Sequence, residues 1–131
     1  VKVEFLCDTD KVEAGRIYRP GQGTGSGFAA CNIPGAQLVT RDFIIVEVEA
    51  ERLDNGGLSK VNLRVAGILA YVVLKVLAFQ DRHGNKDAYD LIYTLVNYPG
   101  GGPPAAARAA ATSPVRRDPQ IVTGHRPMPS F

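Results

Sequence analysis

At 131 residues, with Lys and Arg 15 against Asp and Glu 13, the chain is sized for one domain and has too little charge bias to mark a nucleic-acid binder. Residues 1–98 carry 11 basic against 12 acidic groups, a net of −1, so the overall excess of +2 belongs to residues 99–131, where the count is 4 against 1. Cys7 and Cys31, with no CxxC spacing and no neighbouring histidine, signal neither a zinc site nor a disulfide framework and read as buried or incidental thiols of a reducing cytoplasm.

The chain opens at Val1 in a pattern that already reads as strand, Val1, Val3, Phe5 and Cys7 alternating with Lys2, Glu4 and Leu6, which leads us to expect a start inside a larger protein. Glu4 then stands near the middle of a strand, on the face opposite the apolar one. Residues 8–42 are rich in turn formers. Gly21, Gly23, Gly25 and Gly27 are spaced by two, but the segment lacks the Lys-Ser/Thr of a phosphate-binding loop and no helical pattern follows it, so a mobile connection is expected.

Residues 43–53 read as a long strand with Ile44, Val46, Val48 and Ala50 on one face and Glu47, Glu49 and Glu51 on the other. Asp54-Asn-Gly-Gly57 supplies residues tolerant of positive φ, and Val61, Leu63 and Val65 return on a single face. A β-hairpin is the expectation, its glutamate row a solvated surface.

A first helix is predicted from Ala66 or Gly67 to Phe79 or Gln80, with Ile68, Val72, Val76 and Phe79 as its main stripe and Leu69, Val73 and Leu77 broadening it. Within the apolar run Ile68–Phe79, too short to span a bilayer, Lys75 must snorkel, pair with an acid, or meet a phosphate. Residues 81–84 form a turn, Asn85 caps a second helix running to about Asn97, and Ala88, Leu91, Ile92 and Leu95 form its buried stripe. So short a link makes the two helices antiparallel. Asp87 and Asp90 open the second helix one turn apart, within reach of Lys75 or Arg82. From Pro99 the apolar period stops: seven prolines, a Gly100-Gly-Gly102 run and an alanine block predict a disordered basic tail over residues 99–131. The fold expected is α+β: a small mixed or antiparallel sheet with a β-hairpin, packed against an antiparallel helix pair, all within residues 1–98.

Three segments, Val1-Lys-Val-Glu4-Phe-Leu6, Leu74-Lys75-Val-Leu-Ala78 and Lys86-Asp87-Ala-Tyr-Asp90-Leu91, resemble motifs of the nucleotidyltransferase-like proteins that include the AbiEii-type toxins and related bacterial proteins. The resemblance covers most of residues 1–98 and corresponds to the C-terminal portion of that family. It implies transfer of a nucleoside monophosphate from a nucleoside triphosphate to a hydroxyl or phosphate, on an RNA or protein acceptor, with Mg2+. Glu4 would then be the third catalytic carboxylate and a metal ligand alongside upstream carboxylates; Lys75, Asp87 and Asp90 would hold the nucleotide. The family's Gly-Ser and Asp-x-Asp element does not precede Glu4, so the isolated chain is expected to be inactive. The rival expectation is a non-enzymatic interaction or antitoxin-like module in which Lys75, Asp87 and Asp90 form an internal ion network.

Overall fold

In a computed structural model of the chain, residues 3–21 and 27–123 are described. The architecture is α+β: a three-stranded sheet, a separate two-stranded hairpin, and helices packed beside them. Strands β1 (Leu6–Cys7), β2 (Ile17–Tyr18) and β3 (Ala30–Asn32) form the first sheet in the order β1-β3-β2, β3 running parallel to β1 and antiparallel to β2. The first strand is thus much shorter than its alternation predicts. Val3 and Phe5 lie ahead of it and are 72% and 53% exposed, although the Phe5 carbonyl still accepts the Cys31 N–H at 2.9 Å, because alternation sets which face a residue would occupy but not whether that face is covered.

The turn-rich region 8–42 is also more than a connection. Asn32, fully buried, donates its amide to the carbonyls of Thr9 (2.9 Å) and Val12 (2.7 Å) and accepts from the Thr9 N–H (2.9 Å), so one side chain pins the whole 9–12 loop. Asp8 accepts the Gly35 N–H at 2.9 Å, and a 3-10 helix, Ala36–Thr40, follows. Gly35 has φ 89°, and a Cβ there would meet Leu77 Cδ1 at 3.4 Å and Leu74 Cδ2 at 3.5 Å. The glycines of the run at 22–26 lie outside the described residues.

β4 (Phe43–Glu51) and β5 (Leu58–Ala66) form the expected antiparallel hairpin. Gly56, at φ 68°, lies in its connecting turn, which is closed by the Arg52 N–H on the Gly57 carbonyl at 2.7 Å. The register pairs Ile44 with Val65, Val46 with Leu63 and Val48 with Val61, keeping these six on a common face, while Phe43, Ile45 and Leu58 stand on the other.

Gly67 links the hairpin to α1 (Ile68–Arg82), which ends at His83 in the left-handed region (φ 51°). α2 (Asn85–Val96) starts after Gly84; Asn85 is therefore its first helical residue rather than its cap, and Gly84 makes no side-chain cap bond. The core consists of Leu38, Ala70 and Val115, each fully buried, with Val39, Leu69, Val73 and Ile121 packed around them. The two expected apolar stripes are covered in part: Ile68 is buried and Val72, Ala88, Leu91 and Leu95 are half-buried. Val76 (39%) and Phe79 (40%) on α1 and Ile92 (62%) on α2 are exposed, since the covering elements approach α1 from the side of Ala70, Val73 and the leucines over Gly35.

The expectation of a disordered tail from residue 99 is corrected over residues 99–123. Gly100, Gly101 and Gly102 all adopt positive φ, and a Cβ at Gly102 would stand 3.0 Å from the Val96 carbonyl oxygen, so the glycine run allows a close reversal off the end of α2. Pro103 and Pro104 then open α3 (Pro103–Ala111), where a missing N–H costs nothing. Ala105 and Ala106 are buried, and α3 contacts both α1 and α2. A second short helix, α4 (Pro119–Thr123), follows, and Arg41 ties it back through Asp118 at 2.5 Å. Residues 124–131 lie outside the described part.

Candidate functional site

The short link between α1 and α2 brings two polar edges together. On α1, Tyr71, Lys75 and Arg82 are spaced by four and seven residues, and on α2 Asp87, Asp90 and Thr94 by three and four, so each set follows one side of its helix. Lys75 Nζ donates to Asp90 Oδ2 at 2.8 Å and to Asp87 Oδ1 at 3.4 Å. Arg82 Nη2 donates to both oxygens of Asp87 at 2.9 Å. Further along, the Tyr71 hydroxyl donates to the Asp90 carbonyl (3.3 Å) and accepts from Thr94 Oγ1 (3.1 Å).

Burial grades this network. The Asp87 side chain is 6% exposed, Lys75 24% and Asp90 29%, while Arg82 is 64% exposed. Asp87 is thus a nearly inaccessible carboxylate whose two oxygens are held by two cations, the circumstance in which a buried charge is tolerated. For Lys75, burial pushes toward the neutral form, but the hydrogen bond and charge of Asp90, with smaller help from Tyr71 and Asp87, outweigh it and raise the pKa. The hydrogen bond from Lys75 holds Asp90 below the usual carboxylate range; burial opposes it, and the charges of Lys75 and then Lys86 add to the lowering.

Lys75, Asp87 and Asp90 are therefore brought together as the sequence led us to expect. Arg82 completes the set, and Tyr71 and Thr94, which sequence reasoning did not single out, extend it; the signal was the placement of Tyr71 one turn before Lys75. Glu4 occupies an exposed position ahead of β1, and among the described residues the acids that ion-pair with Lys75 are Asp87 and Asp90.

The donor set does not fit a magnesium centre. Among the described residues no group of three or more His, Cys, Asp or Glu side chains is arranged to hold a metal ion, and one monodentate carboxylate does not make such a site. Cys7 and Cys31 are free and half-buried on neighbouring strands; burial, with the Cys31 and Asp8 charges behind it, pushes the Cys7 thiol up, away from nucleophilic character. Among the described residues no helix is long and apolar enough to cross a membrane.

A second carboxylate escaped the sequence reading. Asp42 is 8% exposed and accepts the Ala70 N–H at 2.8 Å, capping the first turn of α1 from the residue just ahead of β4. Its oxygens occupy the space a Cβ at Gly67 would take, so glycine is required there by close approach. Comparison with protein-family models, with curated proteins and with solved structures finds no match.

Proposed function

We propose that the chain acts as a non-enzymatic interaction module in which Lys75, Arg82, Asp87 and Asp90 lock α1 to α2. The supporting observation is charge balance at short range: two cations face two carboxylates, and the most buried member, Asp87, is bound by both cations. A phosphate approaching Lys75 would have to displace Asp90 from a 2.8 Å contact and would meet the negative charge of both aspartates. The lysine is engaged rather than waiting for an anion.

The alternative is the nucleotidyltransferase reading, carried by the sequence resemblance of the motifs around Glu4, Lys75 and Asp87. It requires Lys75 to exchange Asp90 for a nucleotide phosphate in the presence of Mg2+. Titrating the parent chain and Lys75→Ala with Mg-ATP by calorimetry, beside thermal melts of both, separates the two. The interaction-module reading expects no nucleotide binding by the parent and a melting temperature lowered by about 5 °C in the variant. Binding by the parent that is lost in Lys75→Ala at unchanged melting temperature would establish the nucleotide site instead.

A further inference from the structure

The hairpin presents an uncovered apolar surface. Ile44, Val46, Val48 and Ala50 of β4 and Val61, Leu63 and Val65 of β5 share one face, and Ile44 (55%), Val61 (49%), Leu63 (48%) and Val65 (43%) are largely exposed. Among the described residues the hairpin is a two-stranded sheet with no third strand. Such a ribbon is marginal by itself in water, and an apolar face of this kind needs a cover.

The distribution of charge suits a second copy of the same face. Glu47, Glu49 and Glu51 on β4 and Lys60 and Arg64 on β5 all stand on the opposite face, where Lys60 bridges Glu47 (3.7 Å) and Glu49 (3.4 Å). The apolar face has no ionised side chain, so nothing in it repels an identical face. Edge-to-edge pairing of two copies through β4, by contrast, would bring the glutamate rows together, and pairing through β5 would juxtapose Lys60 with Arg64. The exposed apolar face is on the order of 500 Å² per copy, so two copies face to face bury about 1,000 Å², the lower bound of a specific interface.

We infer that the apolar face of the hairpin binds the same face of a second copy, closing a two-fold, four-stranded β-sandwich with both charged faces outward. This names a partner for the interaction module and rests on that reading. An interface at this lower bound is that of a weak, reversible dimer rather than an obligate one.

Sedimentation velocity of the chain from about 1 to 300 μM, a range chosen to bracket a micromolar equilibrium, tests it. The expected result is a monomer-to-dimer shift that Leu63→Lys and Val61→Lys each abolish and that Ile92→Lys, on the exposed side of α2, leaves in place. Circular dichroism of each variant establishes that it is folded, and the parent's melting temperature, rising with protein concentration, gives a readout that needs no substitution. A parent that stays monomeric throughout, or a dimer dissolved by Ile92→Lys and indifferent to Leu63→Lys, overturns the proposal. Nucleotide titration is separate: a monomer that binds no Mg-ATP removes the sandwich alone, and a monomer that binds it removes the module reading too.

Discussion

Lys75 Nζ stands 2.8 Å from Asp90 Oδ2, joining the middle of α1 to the second turn of α2 across fifteen residues of sequence. The same ammonium is 3.4 Å from Asp87, whose other contacts are to Arg82, so the pair belongs to a four-residue circuit of alternating sign. Its members respond to different experiments.

Stability should depend on pH at both ends of the range. The Asp90 carboxyl is held below its ordinary value, so its contribution is complete above about pH 4, where the unfolded carboxyl is ionised, and is lost as pH falls through the lower folded value. Lys75 is raised, so its contribution is complete below about pH 10 and is lost as pH climbs through the higher folded value. Urea midpoints of the parent and Asp90→Asn should converge in acid, and those of the parent and Lys75→Met in alkali. Gaps that stay constant across the range would show that the two groups are not linked to folding.

Removing Asp87 should cost more than removing either of its neighbours. Asp87→Ala deletes an acceptor held by Arg82 and Lys75 and leaves Lys75 with one partner in a site that is mostly shielded from water, a loss of about 2 kcal/mol. Arg82→Ala should cost less than half of that, because its guanidinium is 64% exposed and returns to solvent readily. Chemical denaturation of both variants checks the order, and an equal or reversed ranking would contradict the assignment of Asp87 as the centre of the circuit.

The circuit was legible in the sequence because a charge inside an apolar helix and two acids opening the next helix across a short link have few places to go. The hairpin was legible too, since alternation on both sides of a glycine turn specifies register as well as strand. The core was not. Leu38 lies in a stretch dominated by turn formers, and its burial depends on Ala70 of α1 and Val115 beyond α3 closing around it, a long-range approach that no local pattern encodes. Spacing alone places Ile92 in the interior with Ala88, Leu91 and Leu95, but an apolar stripe becomes a core only where another element covers it, and Ile92 lies beyond that cover.

Gly67 and Asp42 should be coupled. Gly67→Ala drives a methyl group into the Asp42 carboxylate and so displaces the cap from the Ala70 N–H, for a loss of about 3 kcal/mol from overpacking and a broken cap together. Asp42→Ala alone removes the cap and costs about 1 kcal/mol. In the double variant the methyl group has room, so the two losses should sum to less than their separate total, a coupling of the kind a double-mutant cycle by urea unfolding resolves. Strict additivity would mean that the carboxylate moves aside freely and does not fix the entry of α1.

The segment after Pro99 should behave as part of the folded unit. Val115 is fully buried against Leu38 and Ala70, and Ala105 and Ala106 are in α3, which packs on α1 and α2. Composition pointed the other way because prolines and glycines usually mark unordered chain. Here the glycines supply the left-handed turn, the prolines sit where a helix begins, and alanine methyls permit close helix approach. Truncation at residue 98 should therefore uncover Leu38, Ala70 and the α1 face beneath α3 and lower the melting temperature sharply, while Val115→Ala in the full chain should cost about 2 kcal/mol from lost burial and the space left behind. Ala107→Ser, at an exposed position of the same helix, should change stability by less than about 0.5 kcal/mol. If truncation and Val115→Ala left the unfolding transition where it stands in the parent, the segment would contribute nothing to the core, and the packing of α3 against α1 would lose its energetic meaning.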